Sequence, residues 1–342
     1  MKTIYLNADT IEKTFEQLKT NIGGAILKES NEYTLEIRNK FGQGTIQGVV
    51  LSGGISYIEF DLKFYDDIAI SINTPRKNPI YFAYCYQGSL THSFGIDGKK
   101  TELQSFQTGI ISSKPKEENV LYFKKNERLN ITLITVQTSR SSKKPISNDL
   151  KTKLYNTFIK DERLENFVYV GSQNLKIAEK IQQIHAIRQK GLVRTLLIQG
   201  LVNVILALEI QQHADDEKNR NRHLGILTTS EMKIIKQVSE YIEENFDRPL
   251  SISFLCSQFG ITALKLQEGF KLMHGRTVST HIKWVRVQKA EEYLKHTDMN
   301  ISEIVYSIGF SSRSYFSKIF KESFNCSPRE YKEAQKVLPI SA

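Results

Sequence analysis

The sequence predicts a multi-domain α+β protein. An N-terminal β-barrel or sandwich is followed by connecting helices and an all-α C-terminal domain with two helix-turn-helix units. Three observations predict this. The chain has 342 residues, long for one domain. Its apolar residues alternate with period two from about 31 to 140, then shift to helical spacing from about 148. A helix, a glycine turn and a second helix recur twice between 250 and 325. Composition removes other classes. With 40% hydrophobic and 25% charged residues the chain is neither disordered nor membrane-embedded as a whole. Cys85, Cys256 and Cys326 are an odd, scattered set without CxxC spacing, which argues against a disulfide scaffold or structural zinc module and for a reducing compartment. The N-terminus lacks the apolar core of a signal peptide, so a cytoplasmic location is expected.

Residues 8–20 read as one short amphipathic helix. Strands are then expected where Tyr33, Leu35 and Ile37 alternate with polar residues, again along Ser56–Phe64 and Ile68–Ile72, and in the aromatic and β-branched runs Tyr81–Tyr86 and Leu129–Val136. Turn signals at Gly53-Gly54, Asn73–Pro75, Asp97-Gly98 and Lys114-Pro115 separate them. Helices are expected at 149–160 and 174–190. The run Leu192–Leu208 is apolar nearly all round. Arg194, Gln199 and Asn203 make membrane insertion costly, so it reads as a buried or dimer-forming helix. The polar stretch 211–225 marks a hinge. The expected organisation is a β-rich effector-sensing domain at 1–145, a helical dimerisation and connecting region at 146–213, a linker at 214–227 and the all-α domain at 228–337.

Charge gives little direction. The 47 Lys and Arg exceed the 37 Asp and Glu by ten, but the excess is +2 in 1–140, +5 in 141–225 and +3 in 226–342. Such an even spread fits a solvated basic surface as well as a nucleic-acid footprint. Pattern is sharper. Ser251 caps a helix with Ile252, Leu255 and Phe259 inward, Gly260 permits a positive φ, and Thr262 caps a second helix with Leu266 and Phe270 inward. Forty-nine residues later the layout repeats. Asn300 caps with Glu303 as capping-box partner, Ile304 and Ile308 face inward, Gly309 turns, and Ser311 or Ser312 opens a helix carrying Phe316 and Phe320. Between the units, Thr277–Lys295 reads as one helix about 27 Å long. Ser327-Pro328-Arg329-Glu330 opens a last helix with Tyr331 inward.

Residues 229–335 resemble the DNA-binding domain of the AraC/XylS family of bacterial transcription regulators. The resemblance rests on Gly309-Phe310, Ser314-Tyr315-Phe316, Phe320-Lys321, Ser327-Pro328 and Tyr331, and more loosely on Leu255, Gly260, Leu266 and Phe270-Lys271. The chain departs from the family pattern at Cys256 and Val305 (usually Ala), Asn325 (usually Gly) and Lys332 (commonly Arg). Gly269, inside the first recognition helix, costs about 1 kcal/mol relative to Ala and suggests a less rigid reader. The resemblance further implies a cupin-like N-terminal domain that binds an effector, dimerising helices, and RNA polymerase as a partner.

A recognition helix presents its N-terminal outward residues to base edges. In the first unit these are Ala263, Leu264, Gln267 and Glu268, with the cap Thr262 also in the DNA-binding set and Lys271 on phosphate. Leu264 suits a thymine methyl, Gln267 adenine and Glu268 cytosine N4. In the second they are Arg313, Ser314, Ser317 and Lys318, with Ser312 and Lys321 on the backbone; Arg313 suits guanine. Tyr57, Tyr81, Phe82, Tyr84 and Tyr86 are candidates to line an effector pocket, although filling the β core explains them equally. No catalytic constellation, metal-ligand set or cofactor motif is visible, and His92 alone in the β region cannot bind a metal. The expected function is a dimeric, sequence-specific, double-stranded-DNA-binding regulator without cofactor. The rivals are a ligand-independent regulator, a β-barrel enzyme with a DNA-binding tail, and a nonspecific architectural protein.

Overall fold

The computed structural model describes residues 1–73, 78–114, 117–138, 150–158, 166–218 and 227–337. It divides into two compact units, Met1–His223 and Leu224–Ala342.

In the first unit, β1 (Lys2–Asn7) leads into α1 (Ile11–Ile22). Ten strands follow: β2 (Ala25–Glu29), β3 (Glu32–Asn39), β4 (Gly42–Val50), β5 (Ile55–Phe64), β6 (Ile68–Asn73), β7 (Asn78–Gln87), β8 (Ser89–Phe94), β9 (Thr101–Gln104), β10 (Gln107–Ser112) and β11 (Asn119–Phe123). Then come β12 (Arg128–Thr138), α2 (Leu150–Phe158), β13 (Phe167–Gln173), α3 (Leu175–His185) and α4 (Gly191–Lys218). The strands form two sheets, β1-β6-β11-β8-β9 and β13-β10-β7-β12-β5-β4-β3-β2, antiparallel except for the β1–β6 pair. Neither sheet closes on itself, so a sandwich forms rather than a barrel. One core joins them. Ile4, Ile70, Leu103 and Leu121 of the smaller sheet pack with Leu35, Phe60, Leu62 and Ile131 of the larger, and Phe123 meets Phe60 and Phe64 at ring separations of 5.6 and 5.4 Å. Helix α1, capped by Thr10, adds Phe15, Leu18 and Ile22 to the same core.

The larger sheet is covered on its other face too, by α2, α3 and α4. Phe82 meets Phe158 at 5.8 Å, the Tyr84 hydroxyl donates to the Asn174 carbonyl at 2.7 Å, and His185 bonds Glu59 at 2.8 Å. A sheet buried on both faces needs apolar residues at consecutive positions, which is why Tyr81–Tyr86 and Leu129–Val136 lack clean alternation. Glu59 is the polar centre of this layer. Burial would raise its pKa, yet the His185 hydrogen bond and charge, with Tyr57 and Asn130 as further donors, hold it below the usual carboxylate range.

Strands β1, β2 and β13 fall where no element was expected. Helix α4 also runs to Lys218, past residue 214 where the linker was expected to begin. Its polar last turns are held by tertiary bonds: Asp216 accepts from the Tyr169 hydroxyl at 2.5 Å, the Ser172 amide at 2.8 Å and Gln212 at 2.8 Å. The rest of that linker, 219–226, and the expected boundary at 145 lie outside the described residues.

The second unit is all helical: α5 (Thr229–Glu244), α6 (Ile252–Phe259), α7 (Ala263–His274), α8 (Val278–His296), α9 (Ile301–Ser307), α10 (Arg313–Phe324) and α11 (Pro328–Val337). Helices α5 and α7 pack on α8, with α6 against α5 and α7, and α9, α10 and α11 pack on α8 as well.

Candidate nucleic-acid interface

Each helix of the two units begins where a side chain satisfies its free amides. Ser251 accepts from Phe254 N, Thr262 from Lys265 N, Asn300 from Glu303 N and Ser312 from Tyr315 N. Asn300 with Glu303 forms a complete capping box, and Ser327 pairs with Glu330 in the same reciprocal way. Gly260 ends α6 in the left-handed region (φ 65°, ψ 40°), and Asn325 ends α10 there as well (φ 57°), so the departure from Gly at 325 is accommodated. Leu255, Leu266 and Phe270 are buried in the first unit, and Ile304, Ile308, Phe310, Phe316 and Phe320 in the second.

The inward faces being fixed, the outward residues follow. On α7, Thr262, Ala263, Leu264 and Lys271 are exposed, Leu264 by 67%. Thr262 is also occupied as the cap. Gln267 and Glu268, expected to read bases, are both half-buried. The Gln267 carboxamide oxygen accepts from Val278 N at 3.2 Å, because the first turn of α8 has unsatisfied amides and Gln267 lies on the flank facing it. Glu268 is half-buried, with Oε2 shielded from solvent. On α10, Ser312, Arg313, Ser314, Lys318 and Lys321 are exposed and Ser317 is half-buried. Arg313 and Lys318 form no hydrogen bond or ion pair with the described residues, and such uncommitted cations suit anionic or base-edge partners. Tyr315, which sequence reasoning took only as part of a motif, is 42% exposed and stands beside Lys283 of α8, whose ammonium lies 5.5 Å from the ring centroid.

Gly269 has a different role from the one its helix propensity suggested. It is buried against α5, and a Cβ there would lie 2.3 Å from Ile235 Cγ1. Close approach of two helices, not a looser α7, requires the glycine. The end of α7 meets the start of α8 through stacked imidazoles, His274 and His281, with ring centroids 3.9 Å apart. His274 Nε2 bonds Ser239 Oγ at 2.9 Å, whereas neither ring nitrogen of the buried His281 has a partner among the described residues. Burial, reinforced by the neighbouring His274 and Arg276 charges, pushes the His281 pKa down to about 2.

The five aromatic residues suggested for an effector pocket do not share one cavity. Neighbouring positions of a strand face opposite ways. Phe82, Tyr84 and Tyr86 therefore lie under the helices with Tyr57, while Tyr81 alone faces the other sheet. Tyr81 lines a cleft of about 70 Å³ with Leu6, Asp9, Ile11, Ile58 and Phe60. His92 is a core histidine: Nε2 lies 3.1 Å from Asn119 Oδ1, and burial pushes its pKa down to about 4. Among the described residues, no three His, Cys, Asp or Glu side chains come together as metal ligands.

Residues 255–334 match the family model described as a helix-turn-helix domain. The transcriptional activator RhaS of Salmonella arizonae is 28% identical over 105 residues, covering 31% of this chain and 38% of that protein. RhaS of Mannheimia succiniciproducens is 32% identical over 95 residues, 28% of this chain and 35% of that one. The chain thus matches little more than a third of these relatives' length. Among solved structures, a probable AraC family transcriptional regulator from Rhodopseudomonas palustris is 28% identical, with 30% of this chain and 97% of that one covered at a TM-score of 0.29. With the paired capped helices, the glycine turns and the rod α8 between them, the family match identifies residues 255–334 as a helix-turn-helix domain.

Proposed function

We propose that this chain is a cytoplasmic, dimeric, sequence-specific transcription regulator whose α7 and α10 enter two successive major-groove segments of double-stranded DNA. One observation carries the reading: two capped recognition helices flank a single 19-residue rod, and each leaves outward residues uncommitted. A rod of 19 residues is about 28 Å long, near the ~34 Å between successive major grooves on one DNA face. The exposed Leu264 on α7 suits a reader of sequence better than an architectural protein. The relatives are transcriptional activators, which argues against an enzyme and makes RNA polymerase a partner in this reading.

The test is a pair of substitutions on α10. Arg313→Ala is expected to cost about 1–3 kcal/mol on a cognate duplex and to relax preference at one or two base positions. Lys321→Ala is expected to weaken all duplexes alike and to lower the salt dependence. Equal losses for Arg313→Ala on cognate and scrambled duplexes at one salt concentration would refute the base-reading role.

In the first unit, the cleft beside Tyr81 supports control by a small effector with an apolar body and a hydrogen-bond donor for Asp9. Helix α4 supports dimerisation. One side is tied to its own unit: Arg194 Nε donates to Glu32 Oε1 at 2.8 Å, the Thr195 hydroxyl to Asn31 at 3.1 Å, and Ser52 N to Gln199 at 2.8 Å. The opposite side exposes Leu192 (74%), Val193, Leu196 (61%), Leu197 and Val204. A continuous apolar stripe of this kind marks a partner surface, and a second copy of α4 is the partner in this reading. Helix α4 is long and apolar enough to cross a membrane, but the bonds to Glu32, Asn31 and Ser52 keep it on the sheet.

A further inference from the structure

Arg286 lies at the middle of α8, where the two helix-turn-helix units meet. Its guanidinium is half-buried and donates to three backbone carbonyls from three different nitrogens. Nε donates to Phe246 O, Nη1 to Gly309 O and Nη2 to Arg248 O, each at 2.8 Å. Phe246 and Arg248 belong to the segment between α5 and α6, which enters the first unit. Gly309 is the turn between α9 and α10 in the second. The group also lies 5.5 Å from the Phe310 ring centroid.

Gly309 is fitted to this contact. Its φ is 78°, and a Cβ there would lie 2.6 Å from Asp247 O and 2.9 Å from Arg286 Nη2. The turn of one unit therefore sits directly against the entry segment of the other, with the guanidinium between them. Helix α8 alone fixes the separation of α7 and α10 along its axis. It does less to fix rotation about that axis, because α5 and α7 on one side and α9, α10 and α11 on the other meet the rod through separate contacts. Phe246 of the entry segment also reaches the second unit's core.

We propose that Arg286 is the positioning residue that locks α7 and α10 in one relative orientation, so that the two helices accept only one spacing between their DNA segments. The spacing half of this proposal rests on the two-segment reading above; the orientation half does not. The chemistry favours arginine specifically. A planar fork with fixed N–H directions can satisfy three carbonyls set by two different turns. A lysine ammonium keeps the charge but is a single donor centre on a flexible stem, and cannot span all three. Orientation should therefore depend on the fork, not on the positive charge.

The experiment uses the full-length chain with Cys256 and Cys326 replaced by serine, and spin labels on Leu272 of α7 and Glu322 of α10, both exposed. Wild type is expected to give one narrow distance distribution without DNA. Arg286→Lys is expected to broaden it at an unchanged melting temperature; an equally narrow distribution overturns the proposal. Should the variant not fold, exchange of the Arg286 Nε–H in the wild-type chain decides the matter. Exchange much slower than at exposed arginines supports the lock, and exchange as fast as theirs overturns it. The second arm uses duplexes selected by the wild-type chain from a random library, then altered by one or two base pairs between the protected segments. Wild type is expected to lose at least about tenfold in affinity per inserted base pair, and Arg286→Lys less than about threefold. A variant that keeps the wild-type spacing preference overturns the proposal. A wild type indifferent to spacing, with the distance result as expected, removes the two-segment reading and leaves the orientational lock standing.

Discussion

Among the described residues, no hydrogen-bond partner meets the ring nitrogens of the buried His281 or the carboxylate oxygens of the buried Glu209, and the two side chains make the two units respond oppositely to pH. His281 titrates at about 2 in the folded unit and near 6.5 when unfolded, so the unfolded form binds the extra proton. Stability of Leu224–Ala342 is therefore full above about pH 6.5 and declines as pH falls, by about 1.4 kcal/mol per pH unit, or about 2 kcal/mol at pH 5. Trp284 is the chain's one tryptophan and its ring lies 5.8 Å from His281, so its fluorescence during urea unfolding reports this unit directly. His281→Leu should flatten the slope between pH 5 and 6.5; an undiminished slope would place the proton elsewhere. Burial pushes the Glu209 pKa well above the usual carboxyl range. The folded unit must hold a proton that the unfolded chain releases above about pH 4.3, so stability is lost as pH rises past that value. Glu209→Met removes the buried carboxyl at similar volume. It should stabilise the first unit at pH 7 by about 1–3 kcal/mol and abolish that decline. Near-ultraviolet circular dichroism of the tyrosine-rich sheets can follow it, and a destabilised variant would show that Glu209 has a partner in solution.

Among the helices, α7 carries the clearest conflict between local preference and packing. Gly269→Ala gains about 1 kcal/mol of helix propensity. It also places a methyl group inside the contact with Ile235, and overpacking costs about 1–3 kcal/mol. The expected net effect is destabilisation, smaller when Ile235 is already alanine, because the two positions share one contact. A double-mutant cycle on urea midpoints checks it; additive effects would mean that α5 and α7 do not meet at this point. The other helix ends behave as their caps dictate. The polar turns of α4 behave differently, because Asp216 and Gln212 are held by residues of β13 some forty positions earlier in the chain.

For the whole molecule, the exposed stripe on α4 sets the expected assembly. Replacing Leu196 and Val204 with lysine changes outward residues only, so the fold should persist and the dimer should dissociate. Pairing two DNA-binding units makes the second contact intramolecular, so the substitutions should lower affinity for a paired site by about 10²–10⁴ and leave a single half-site almost unchanged. Sedimentation and titration of both sites at one salt concentration check this. A wild-type chain that sediments as a monomer at micromolar concentration would leave the stripe to another partner.

The sequence by itself determined the features that local chemistry controls. Ser251, Thr262, Asn300 and Ser312 mark helix starts because a short polar side chain satisfies free amides a few residues on, and Gly260 and Gly309 mark turns because φ is positive there. The inward stripe Leu266, Phe270, Phe316 and Phe320 then left Leu264, Arg313 and Lys318 as the outward residues. Period two likewise announced the β-rich unit. Only the tertiary structure decided what depends on residues far apart in sequence. It placed β1 beside β6 and β13 beside β10, extended α4 through Asp216, turned Gln267 toward Val278, and split the tyrosines of β7 between two faces. It also gave Gly269 and Arg286 their roles, a close helix approach and a bridge across two turns, because both are set by contacts with partners tens of residues away that no local pattern encodes.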